Sequence, residues 1–275
     1  MTDQAAELRA MMAGRNPEPT PVSGPPTIVI GSGKGGVGKS VVSALLAQRL
    51  AADGRQILLV DGSQNLGNLH VLFGIQRGAR LEHLLTDSAS PRDLLVPVNP
   101  QLWLLPSDSG AESVHALGAV DRARLHHRLS GLYQAFDAVI VDAGPGIESV
   151  VRVSTMGATR LVLVTVPEPA ALTDAYATLK IVHAQVKDLP VDVLINRVED
   201  TREGPQAFER LLTAAERFLH RRIRYLGALW EDDEIRRAVR APGTLATGLG
   251  PGPNSDLLTT VLERLELPAP ARIAE

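Results

Sequence analysis

Ten residues constrain this chain more than any others: GSGKGGVGKS, Gly31 to Ser40. They follow the apolar run Thr27-Ile-Val-Ile30 and precede Val41-Val-Ser-Ala-Leu-Leu46, which reads as a helix. From Gly33 onward the stretch fits G-x-x-x-x-G-K-[ST], the phosphate-binding loop. In a strand–loop–helix of this kind, successive backbone N–H groups wrap a phosphate and the new helix adds the positive end of its dipole. Glycine is needed wherever a Cβ would block that approach or the backbone must take a positive φ. Gly33, Lys34, Gly35, Gly36, Val37 and Gly38 are therefore candidate nucleotide-binding residues. Lys39 would neutralise the β/γ oxygens, and Ser40 would ligate Mg²⁺.

Two further apolar runs end in carboxylates. Gln56-Ile-Leu-Leu-Val60 leads to Asp61, and Phe136-Asp-Ala-Val-Ile-Val leads to Asp142. A carboxylate at the C-terminal end of a parallel strand, beside a phosphate loop, is placed to hold Mg²⁺ or its water shell. Gly144 follows Asp142 closely enough to bring its N–H near a γ-phosphate. Strand-like runs also occur at Leu102–Leu105, Leu161–Val166, Val191–Asn196 and Tyr225–Trp230. Seven such runs alternate with helical patterns, which implies an α/β fold with a mostly parallel sheet of seven or eight strands, covered by helices on both faces.

The 275 residues, 44 % apolar, suffice for one sizeable core, assigned to residues 27–275. Residues 13–26 carry five prolines and read as an extended linker, about 40 Å long at roughly 3 Å per residue. Ahead of it, residues 2–12 form a short amphipathic segment with Leu8, Met11 and Met12 on one face. The net charge of −3 gives no electrostatic case for non-specific nucleic-acid binding. Without cysteine there is no disulfide, thiol nucleophile or thiolate metal site, and the seven histidines are scattered. No signal-like or membrane-spanning segment is apparent, so a cytoplasmic protein is expected.

Lys34 narrows the reading. It stands directly after the first glycine, giving K-G-G-V-G-K-S with two lysines. This resembles the deviant Walker A loop of the MinD/ParA ATPases, P-loop NTPases of the SIMIBI class. The resemblance implies ATP and Mg²⁺ as ligands, an ATP-dependent homodimer, and a first lysine that reaches the phosphates bound by the partner subunit. Lys34 and Lys39 are then the catalytic lysines. The stretch Asp61 to Gly74 matches the family's first switch, with Ser63 in place of its second aspartate, a carboxylate that helps position the attacking water. Serine offers hydrogen bonds there but no fixed negative charge. DAGPGI, Asp142 to Ile147, resembles the second switch, and Asn196 matches the family's adenine contact. Tyr225 to Val239 resembles the loop bordering the base, with Trp230 where proline is usual.

PEPAALTDAYA, Pro167 to Ala177, is similar to the flagellar-number subgroup (FlhG/FleN type) of that family. So is DQAAELR, residues 3–9, which in that subgroup activates a GTPase related to those of the signal-recognition particle (FlhF-like). Asp3, Gln4, Leu8 and Arg9 are the implied partner-binding residues. Thr173 or Asp174 is expected to cap the helix that follows. The final helix, Asp256 to Leu267, has an acidic polar face that an anionic bilayer would repel, and core packing is expected of it. Three functions stay open at this point: a slow ATPase governing flagellar number, a nucleotide-binding scaffold that has lost hydrolysis, and a partitioning ATPase of the ParA type.

Overall fold

The structure, a computed structural model, describes residues 24–63, 69–75, 90–106, 127–241 and 243–269. The strands come first in sequence logic because they are short, continuous apolar runs, the signature of strands buried on both faces. These are β1 (Thr27–Gly31), β2 (Ile57–Gly62), β3 (Val96–Asn99), β4 (Leu102–Leu105), β5 (Ala138–Ala143), β6 (Arg160–Thr165), β7 (Val191–Val198) and β8 (Arg224–Trp230). They form one sheet in the order β3-β4-β2-β5-β1-β6-β7-β8, parallel except where β3 joins β4.

Alternation along each strand divides the interior into two layers. Ile28, Ile30 and Ile140 face one cluster, shared with α1 (Lys39–Ala52) and α7 (Pro253–Leu265). Val29, Val139 and Val141 face the other, shared with α3 (Ile147–Ser154), α4 (Pro169–Gln185) and α5 (Glu203–Leu219). The smaller helices α2 (Leu69–Leu72) and α6 (Asp233–Arg240) complete the described set. From β1 the sheet grows through β5 and β2 on one side and β6 on the other. That reversal opens a crevice at the C-terminal end of β1, where ligands of such sheets bind.

The α/β fold and mostly parallel sheet expected from sequence are the ones found, with one strand more than the seven runs identified. Val96-Pro-Val-Asn99 pairs antiparallel to β4 at the sheet edge, with a register shift between Pro97 and Asn99. Pro97 hid it: proline cannot donate to a ladder and is confined to edges. A second difference concerns α4. It begins at Pro169, whose fixed φ and missing N–H suit a first helical position. Thr173 is already inside, its hydroxyl bonded back to Pro169 O at 3.0 Å, so neither Thr173 nor Asp174 is the cap.

Arg221 and Arg224, beyond the end of α5, tie that segment to neighbouring elements. The Arg221 guanidinium reaches the Leu189 carbonyl and His183. Arg224 pairs with Asp192 at 2.8 Å and with Glu266 at 3.0 Å. Leu258, Val261, Leu262 and Leu265 of α7 are buried in the α1 layer, as core packing requires. Among the described residues no helix is long and apolar enough to cross a membrane.

Candidate functional site

The loop between β1 and α1 is shaped by glycines with separate tasks. Gly36 and Gly38 hold φ of 82° and 88°, a backbone conformation that L side chains rarely adopt. A Cβ on Gly33 would stand 2.3 Å from the Asp174 carbonyl oxygen and 2.6 Å from Thr178 Oγ1. Gly33 thus lets the loop lie against α4, whereas Gly35 and Gly36 border open space. Gly38 is the N-cap of α1 and supplies no side-chain cap, and the first turn carries no acidic residue. The first-turn N–H groups of α1 thus receive no cap from the N-cap side chain and no acidic residue of their own turn, which leaves the positive end of the dipole to an anion.

Lys39 is only 7 % exposed and its Nζ lies 2.6 Å from Asp142 Oδ1. Ser40 Oγ is 3.5 Å from the same ammonium, and the Ser43 hydroxyl is 3.1 Å from the same carboxylate oxygen. The parallel register of β2 and β5 sets Asp61 directly beside Asp142. Burial, and secondarily the Asp142 charge, pushes the Asp61 carboxyl up to about 6, against hydrogen bonds from Ser63 and the Leu69 N–H. Its Oδ1 accepts from the Ser63 N–H at 3.1 Å, while its Oδ2 is buried without a partner among the described residues.

This donor set fits a divalent cation held jointly with a phosphate. No group of three or more Asp, Glu, His or Cys side chains forms a cation cage among the described residues. Mg²⁺ is commonly bound by one or two carboxylates plus substrate phosphates, keeping several waters. Ser40, Asp61 and Asp142 are the residues that would hold it, and Asp61 Oδ2, buried without a hydrogen-bond partner among the described residues, is the atom with spare capacity.

A carboxyl whose folded pKa is raised is a liability once ionised. Between the ordinary value of 3.8 and about 6 the unfolded chain sheds its proton first, so this group's contribution falls with rising pH. Above pH 6 the loss amounts to about 3 kcal/mol. Asp61→Asn is therefore expected to stabilise the nucleotide-free protein at pH 7.5 by roughly 1–3 kcal/mol and to flatten its stability between pH 4 and 6. Urea denaturation across that range checks this; a destabilised Asn variant at pH 7.5 would contradict it.

The remaining residues converge from neighbouring strands. Asn196, at the end of β7, donates from Nδ2 to the Val37 carbonyl at 2.8 Å, so in this state its amide grips the phosphate loop. Ser63 is buried at the end of β2, and Gly144, also buried, directly follows β5. Lys34 points outward, its side chain 44 % exposed and paired with Glu168 Oε2 at 3.3 Å. Trp230 N–H donates to Asn254 Oδ1 at 2.8 Å, and Asn254 Nδ2 returns to Trp230 O and to Asp232, which caps α6. Asp3, Gln4, Leu8 and Arg9, like Gly67 and Asn68 of the first switch, lie outside the described residues.

Ser43, Glu168, Arg197 and Asn254 were not identified from the sequence. Ser43 alone had a usable signal, standing one helical turn after Lys39 on the same face. The others depend on long-range packing.

Known proteins give a consistent picture. The family described as the CobQ/CobB/MinD/ParA nucleotide-binding domain matches residues 28–241. The flagellum site-determining protein YlxH of Helicobacter pylori is 33 % identical over 87 % of this chain and 82 % of its own. The antiactivator FleN of Pseudomonas aeruginosa is 32 % identical over 78 % of this chain and 76 % of its own. Among solved structures, an ATP complex of a McdA variant from Cyanothece superposes with a TM-score of 0.70 at 22 % identity, covering 92 % of this chain and all of that one.

Proposed function

The chain belongs to the CobQ/CobB/MinD/ParA family of nucleotide-binding domains, and from that premise we propose that it is an ATP-dependent, dimerising molecular switch that sets flagellar number or placement. The observation that carries this reading is one loop with two lysines of opposite disposition. Lys39 is buried against Asp142 and serves its own site, whereas Lys34 is exposed and free to turn toward a second copy. The exposed pair with Glu168 is no obstacle, since such pairs contribute about 0–1 kcal/mol. The flagellar part rests on the similarity to YlxH and FleN and on the segments 3–9 and 167–177. The reading places the protein in the cytoplasm, with ATP and Mg²⁺ as its ligands.

Ser63 favours a second reading, a scaffold that binds ATP and dimerises without hydrolysing it. Its hydroxyl cannot orient a water as strongly as a carboxylate, whose hydrogen bonds are roughly twice as strong. Turnover is expected to be slow and to rise about tenfold or more in Ser63→Asp, since each 1.4 kcal/mol is worth a factor of ten. Phosphate release measured on both proteins tests this. A wild type that already matches the Asp variant would mean another residue positions the water. The net charge of −3 gives the partitioning reading no electrostatic support.

The N-terminal segment is proposed to act on a GTPase related to those of the signal-recognition particle, with Asp3, Gln4, Leu8 and Arg9 as contacts. Ordering a short segment on binding costs part of the interaction energy, so modest affinity is expected. A peptide of residues 1–15 should raise that GTPase's turnover at high concentration, with Gln4→Ala weakening stimulation and Leu8→Ala weakening binding. No change in GTP turnover at saturating peptide would remove this part of the proposal.

A further inference from the structure

Three described residues other than glycine have a positive φ: His220 at 50°, Glu266 at 50° and Arg197 at 60°. His220 and Glu266 are C-caps of α5 and α7, where the left-handed conformation is ordinary. Arg197 is different, for it lies within β7. The pairing of β7 with β8 slips between Ile195 and Val198, leaving Asn196 and Arg197 in the irregular step. Irregularities of this kind re-aim side chains beside functional sites, and strain kept in a strand calls for a compensating role.

What the two side chains are aimed at is specific. Asn196 Nδ2 donates to the Val37 carbonyl at 2.8 Å, and Arg197 Nη1 donates to the Gly36 carbonyl at 3.3 Å. A trans peptide unit is planar, with its C=O and N–H pointing opposite ways. The Gly36 carbonyl shares a unit with the Val37 N–H, and the Val37 carbonyl shares the next with the Gly38 N–H. Holding both carbonyls toward the end of β7 therefore turns the Val37 and Gly38 N–H groups away from it, as donors of a phosphate cradle must be turned. Arg197 is itself held: its Nε is 2.8 Å from Glu231 Oε2, and Glu231 Oε1 is 2.7 Å from Arg236 Nη2 on α6. Those cations, Arg236 foremost, keep the Glu231 carboxyl below its ordinary value, so it stays charged.

We propose that Arg197 is a positioning residue of the nucleotide site, fixing with Asn196 two consecutive peptide units of the phosphate loop so that their N–H groups meet the phosphates. The proposal rests on the nucleotide-binding reading. Its consequence is that the guanidinium acts on phosphate affinity through the loop rather than on the base.

Arg197→Gly separates this role from a structural one, because glycine adopts φ near 60° freely while the guanidinium is lost. The variant is expected to melt at or above the wild-type temperature, yet to bind ATP and inorganic pyrophosphate about 5–20-fold more weakly, by a similar factor for both. Arg197→Lys, which keeps a donor but not the fork that serves Gly36 and Glu231 together, should recover part of the loss. Wild-type affinity in Arg197→Gly would overturn the proposal. So would a loss confined to ATP, which would make Arg197 a base contact, or a lowered melting temperature, which would make it a fold residue. Lys39→Ala, titrated in parallel, tells the two layers apart. If it binds neither ligand while Arg197→Gly binds both normally, only the positioning role fails; if it binds both normally, the nucleotide reading itself fails.

Discussion

Lys39→Ala is expected to lower ATP affinity by about a thousandfold or more, beyond what calorimetry detects at ordinary protein concentrations. Two effects act in the same direction. The phosphates lose a charge-assisted donor, a contact worth roughly 1.5–3 kcal/mol. The Asp142 carboxylate, 2.6 Å from the ammonium in this state, is left uncovered beside Asp61, so the site presents negative charge to a polyanion. Together these reach about 4 kcal/mol, or three orders of magnitude at 1.4 kcal/mol per tenfold. Removing one partner of a buried pair also destabilises a fold, by roughly 3–5 kcal/mol. Circular dichroism must therefore show the variant folded at the temperature of the titration. A folded Lys39→Ala protein that binds ATP normally would contradict the nucleotide assignment.

The second large effect concerns assembly. Lys34→Ala is expected to leave ATP binding within about threefold of wild type while removing ATP-dependent dimerisation. Its ammonium makes no contact with the buried lysine and carboxylates of its own site; in this state it rests on Glu168, with nearly half the side chain in water. Losing an exposed pair of that kind changes monomer stability by about 0–1 kcal/mol. In the proposed dimer the same ammonium meets the partner's phosphates in a water-excluded interface. There a charge-assisted contact carries roughly 1.5–3 kcal/mol and occurs twice by symmetry. Two lost contacts are enough to weaken dimerisation by some orders of magnitude. The outcome separates Lys34 from Lys39 cleanly, since one variant would bind and not assemble and the other would do neither.

How much of this was legible beforehand depended on how local each signal was. β1, β2, β5, β6 and β7 were readable because strands buried on both faces are written as unbroken apolar runs. The phosphate loop was readable because backbone wrapping of a phosphate demands glycines at fixed spacing. β3 was not, because Pro97 belongs to an edge strand whose pairing depends on β4. The start of α4 was misplaced because Thr173 and Asp174 look like caps, while Pro169 fits the first turn by its fixed φ. Arg197 gave no sequence signal: its meaning lies in a positive φ and a carbonyl 161 positions earlier in the chain. Asn254 likewise joins Trp230 across 24 positions.

The most direct test of the account is the mass of the full chain in solution, measured by light scattering at fixed protein concentration without nucleotide, with Mg²⁺ and ADP, and with Mg²⁺ and ATP. The switch reading predicts a mass near 29.4 kDa in the first two conditions and twice that with ATP, the shift vanishing in Lys34→Ala. A mass that stays the same in all three conditions, at ATP concentrations where calorimetry shows the site filled, would contradict it.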